Sequence, residues 1–79
     1  MKTNNSGNVQ VVTLDDGREV CLSYGVIVAA FIPGRGYVRT DARFSVTTSK
    51  HMNQFAGKER PEVPHKELIA LCAPIASRQ

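Results

Sequence analysis

The chain reads as a small α+β protein, with an antiparallel sheet of three to five strands and one or two helices packed on it. Three observations predict this class. Two runs of period-two alternation are each closed by turn residues, the most apolar run lies between those two turns, and helix-period patterns begin only after the strands are complete. Strands grouped first and helices last argue against a parallel sheet, which would alternate them.

Residues 1–7 are polar, with one lysine and no apolar segment, and read as a frayed leader, not a secretory signal. Val9, Val11 and Thr13 then alternate with Gln10, Val12 and Leu14, and Asp15-Asp16-Gly17 supplies turn chemistry, so a first hairpin is expected. Its return strand starts near Arg18 and runs through Val20 and Leu22 to Tyr24. Past an interruption at Gly25 it continues to Ile32, and glycine inside a strand pattern marks a bulge or a close backbone approach. The run from Val26 to Ile32 is apolar on both faces, as in a central strand covered by a helix.

Pro33-Gly34-Arg35-Gly36 closes a second hairpin, since proline presets φ and the glycines accept left-handed conformations. Residues 37–44 alternate again, placing Val38, Thr40 and Ala42 on one face and Tyr37, Arg39, Asp41 and Arg43 on the other. Thr47, Thr48 and Ser49 are favoured N-cap types ahead of a short helix that ends at Gly57. Met52, Phe55 and Ala56 lie at helical spacing within it. Residues 58–63 form a charged connection to a C-terminal helix opened by Pro64, whose stripe is Leu68, Leu71, Cys72 and Ile75. Phe31, Val28, Met52, Phe55 and Leu68 are expected to be buried together between sheet and helices.

Seventy-nine residues make a single domain, 1–79, with room for one core and little for a deep cavity. The longest apolar run has seven residues, far below the ~20 that cross a bilayer, so no membrane span is expected. With no signal peptide the expected compartment is the reducing cytoplasm, where Cys21 and Cys72 stand as two buried thiols. Net charge is +3, and its placement says more than its total. Residues 34–60 carry six basic and two acidic side chains, whereas the flanking thirds are balanced or slightly acidic. A field of that sign favours anionic partners, against the plainer reading of a solvated surface.

Chemistry-bearing motifs are absent. Cys21, His51, His65 and Cys72 lack the short spacings of a zinc site, and neither a Cys-His pair nor a serine triad has a supporting context, so no metal, no cofactor and no enzyme activity are expected. Thr48, Ser49 and His51, at a helix start beside Lys50, are candidate anion contacts, with ordinary helix capping as the competing account. Arg35, Tyr37, Arg39 and Arg43 fall on one side of a strand, basic groups around an aromatic. Together with Lys50 they are the candidate partner-binding surface. Asp41 lies in the same row and weakens its field, which keeps a merely exposed strand face in contention.

The stretch SYGVIVAAF followed by GYVRTDARFSVTTSKHMNQF resembles a family of small proteins carried by phages and other prokaryotic mobile elements. The matching elements are Tyr24-Gly25 and the apolar strand after it, Gly34 and Gly36, Tyr37-Val38-Arg39-Thr40, then Thr47-Thr48-Ser49-Lys50-His51 and Asn53. The resemblance implies origin and fold, and assigns no residue a role. Proteins of this size on mobile elements often block a host defence machine, and the chain is similar to small anti-CRISPR proteins in size and in its one-sided charge. A host CRISPR effector (Cas) complex is the partner this implies, bound stoichiometrically so that target DNA is not engaged. The alternative is a small nucleic-acid-binding accessory protein that uses the basic strand face.

Overall fold

The computed structural model describes residues 2–42, 46–57, 60–73 and 75. In chain order the elements are β1 (Lys2–Ser6), β2 (Val9–Thr13), β3 (Glu19–Ser23), β4 (Val26–Ile32), β5 (Gly36–Thr40), α1 (Val46–Ala56), β6 (Glu62–Val63) and α2 (His65–Leu71). The first five strands form an antiparallel meander in sequence order, and β6 adds to the far edge parallel to β5. The α+β class therefore holds.

Several details differ from the sequence reading. The presumed leader is β1, paired with β2 along its whole length from Lys2↔Thr13 to Ser6↔Val9. An edge strand is held by backbone hydrogen bonds and tolerates polar side chains, so hydropathy does not reveal it. The presumed connection 58–63 ends in β6, where Arg39 N–H bonds Pro61 C=O and Asp41 N–H bonds Val63 C=O at 3.0 and 2.9 Å. Helix α1 thus serves as the crossover that a parallel pair requires.

The break at Gly25 is a hairpin, not a bulge. Tyr24 (φ +54) and Gly25 (φ +81) sit between the paired residues Ser23 and Val26, the two positive φ values that a type I′ turn demands. The bulge lies three residues later: Cys21 pairs with Ala29 and Leu22 with Ile27, which leaves Val28 as the extra residue. Its effect is to reverse the strand's facing, so that Ile27 and Ala30 join the core on one side and Val28 and Ala29 the core on the other.

The sheet consequently separates two cores. On the α1 side Cys21, Val28, Ala29, Met52 and Ala56 are buried, with Phe55 and Tyr37 half-buried against them. On the α2 side Val20, Leu22, Ile27, Val38, Val63, Leu68 and Cys72 are buried together. The single cluster expected of Phe31, Val28, Met52, Phe55 and Leu68 is therefore divided, because Leu68 reaches the opposite face of the sheet from Met52. Phe31 is half-buried, edge-on to Tyr37 at 5.0 Å.

The two loop turns form as expected. Gly17 N–H donates to Leu14 C=O, closing the first hairpin with Gly17 at φ +96, and Arg35 N–H donates to Ile32 C=O across Pro33-Gly34. Gly57 N–H bonds Asn53 C=O at φ +93, the left-handed close of a helix C-terminus. Helix α1 begins at Val46, so residues 47–49 lie inside its first turn instead of ahead of it.

Cys21 and Cys72 are both free, fully buried and on opposite sides of the sheet, which excludes a bond between them in this fold. Burial pushes the Cys21 thiol up to about 12 and the Cys72 thiol up to about 11. Neither should react with a disulfide reagent in the native protein, whereas both should react after denaturation. The same shifts make stability fall in alkali. Folded thiols hold their protons above the ordinary value near 9, so their contribution is complete below that pH and is lost as pH rises toward 12, by up to about 1.4 kcal/mol per pH unit for each thiol. Chemical denaturation at stepped pH measures the slope.

Candidate partner-binding groove

The basic strand face does not form an exposed row. Arg35 is exposed in the β4–β5 turn, but Tyr37 faces α1, edge-on to Phe31 and Phe55 at centroid distances of 5.0 and 5.5 Å, with the Arg60 guanidinium 5.2 Å above its ring. The Arg39 side chain is only 12% exposed. Its Nη1 donates to Asn53 Oδ1 at 3.1 Å and to Gly57 C=O at 3.3 Å, and its Nε lies 4.0 Å from the Glu62 carboxylate. Arg39 thus closes the C-terminus of α1, where backbone carbonyls lack helical partners and the helix dipole is negative.

Two more arginines do the same work. Arg60 Nε–H donates to Ala56 C=O at the end of α1. Arg18 reaches the end of α2, donating to Leu71 C=O at 2.8 Å and Ala73 C=O at 2.7 Å. Asp16 aims that guanidinium through a 2.8 Å ion pair. The Arg18 backbone N–H first, and then its guanidinium, hold the Asp16 carboxyl below its ordinary value. Of the basic residues in the 34–60 segment, Arg39 and Arg60 are therefore engaged with the end of α1. No local pattern signals the Arg18 contacts, which span more than fifty residues of chain.

Of the other candidates, Arg43 lies outside the described residues, as do the side chains of Thr48 and Ser49. Lys50 is exposed. His51 is half-buried and shares a 2.9 Å hydrogen bond with Ser23 Oγ through Nδ1, so this nitrogen is engaged within the fold instead of facing an anion. On the opposite face His65 Nδ1 and Thr40 Oγ1 are joined at 2.8 Å, and Ala42 N–H also donates to that hydroxyl oxygen. Each helix is pinned in this way by a histidine to the hydroxyl at a strand end. Ser23 is 2% exposed, and its hydroxyl ties β3 to α1 through His51. Among the described residues no group of three His, Cys, Asp or Glu side chains is placed to hold a metal ion. No described helix is long and apolar enough to cross a membrane.

What the sequence did not disclose is a groove. Helix α1 packs on β3, β4 and β5, and a recess of about 340 Å³ opens between it and β2. Val9 and Val11 form the floor, while His51, Gln54 and Phe55, one stripe of α1, form a wall. Glu19 and Tyr37 stand at one end. Beyond His51 of that wall, Tyr24 is 47% exposed, its ring centroid 6.2 Å from that of His51. The only early sign was the pair of valines on one face of β2, which alternation alone would place in a covered core.

These features define a small α+β scaffold with a helix on each sheet face and a partly apolar, open recess beside one of them. The chain belongs to a family of unknown function, DUF8033, whose pattern matches residues 1–69. That span includes every strand among the described residues, all of α1 and the groove. No curated protein and no solved structure matches the chain.

Proposed function

We propose that the protein is a stoichiometric binder of the mobile-element inhibitor type, which occupies a host CRISPR effector complex inside the cell and keeps it from engaging target DNA. The observation that carries the binding part is the groove, whose apolar floor, aromatic wall and polar rim match the anatomy of a protein contact. The target class and the mobile-element origin rest on the resemblance of residues 24–57.

The second reading, a free nucleic-acid binder, draws on the pI near 9.2 and on exposed Arg35 and Lys50. It is weakened by Arg18, Arg39 and Arg60, each of which directs at least one donor at a helix carbonyl. Affinity capture from host lysate, followed by mass spectrometry, separates the two. The inhibitor reading expects effector subunits and little retention of naked labelled DNA or RNA. Strong retention of nucleic acid that falls steeply with salt, by counterion release, would establish the other reading instead.

A further inference from the structure

We infer that the groove beside α1 receives an amphipathic helix of a partner protein, with a basic side chain of that helix against Glu19 and its far end against Tyr24. The inference rests on the binder reading and names the chemistry of the contact. Spacing argues for a helix. With α1 over β3, β4 and β5, a second helix packed beside it on the same face would lie about 10 Å away, two strand spacings, which centres it on β2 and the Val9–Val11 floor. Length agrees: Glu19 and Tyr24, five residues apart along one strand and its turn, are about 16 Å apart, which is three helical turns.

The chemistry fixes the partner's character. Val9, Val11 and Phe55 ask for apolar side chains on one helical stripe, and the Glu19 carboxylate asks for lysine or arginine at one end. A nucleic-acid backbone would meet that carboxylate with like charge. Tyr24 supplies an independent argument. The first central position of a type I′ turn favours asparagine, aspartate or glycine, and a tyrosine at φ +54 is strained there. The residue is 47% exposed, so burial does not explain the choice. Strain retained for an exposed aromatic beside a groove is what a contact residue looks like.

A displayed library of helical peptides of about four turns, selected on the intact protein, tests the inference. Enriched peptides should carry an apolar i, i+3, i+7 stripe with Lys or Arg at one end, and should shift the amide resonances of Val9, Val11, Glu19, Tyr24 and His51. Tyr24→Asn and Glu19→Lys should each weaken the peptides about tenfold or more. Tyr24→Asn should melt no lower than the parent, because asparagine suits the turn, so its loss of binding is not unfolding. Reselection on Glu19→Lys should switch the basic position to an acidic one. Peptides without helical period, shifts elsewhere, or unchanged binding by both variants would overturn the inference. So would a concentration-dependent dimer abolished by the same variants, which would make a second copy the occupant. If captured effector subunits bind both variants at parental strength, the groove assignment fails while the binder reading stands. If helical peptides select as expected but no effector is captured, the groove assignment stands and the effector reading fails.

Discussion

Leu68→Ala should destabilise the protein by about 3–5 kcal/mol, the range for truncating a fully buried leucine whose site cannot collapse. Leu68 is 0% exposed and joins α2 to the core formed by Val20, Leu22, Ile27 and Val38. Domains of this size hold on the order of 5–10 kcal/mol in total, so the variant should be partly unfolded near body temperature. Phe55→Ala, which the helical spacing alone would rank as highly, should cost roughly half as much, since Phe55 is half-buried at the groove wall. Urea denaturation followed by circular dichroism ranks the pair. Equal losses would mean that the α1 core carries as much stability as the α2 core.

Arg39→Glu should cost about 2–4 kcal/mol, while Arg35→Glu should stay within about 0.5 kcal/mol of the parent. Read from strand alternation, both residues belong to one exposed face whose charges can be reversed without harm. In the fold Arg39 is enclosed by α1, and reversal leaves the Gly57 carbonyl and Asn53 facing a carboxylate instead of a donor. Arg35, in the exposed turn, faces water in either form. Thermal melts of the two variants decide the point. A drop for Arg35→Glu as large as that for Arg39→Glu would remove the distinction between a helix cap and a surface charge.

The contrast between these arginines shows which levels of structure were legible. Turn chemistry was readable at Gly17, Pro33-Gly34 and Gly57, where glycine or proline forces one backbone form. The Leu68, Leu71 and Cys72 stripe likewise revealed the buried face of α2. Alternation failed at Val28, where one extra residue reverses the facing of everything after it, and so hid the division into two cores. It failed again at Tyr24-Gly25, because tyrosine is a poor residue for a type I′ turn and one glycine in an apolar run resembles a bulge. Strand β1 was hidden by its polarity, and β6 by its brevity. As for the site, the basic residues were visible as a composition bias, but their destinations depend on helix ends brought close only by the fold. The groove itself arises from what α1 leaves uncovered, which no single segment encodes.

The most direct measurement of the functional account is a titration of a purified host CRISPR effector complex with this protein, reading target-DNA binding at each addition. The account predicts a linear fall that ends at a fixed molar ratio, independent of incubation time. Full loss of DNA binding at a small fraction of that ratio, deepening with time, would reveal turnover, and undiminished DNA binding in excess protein would remove the effector as target; either result contradicts the account.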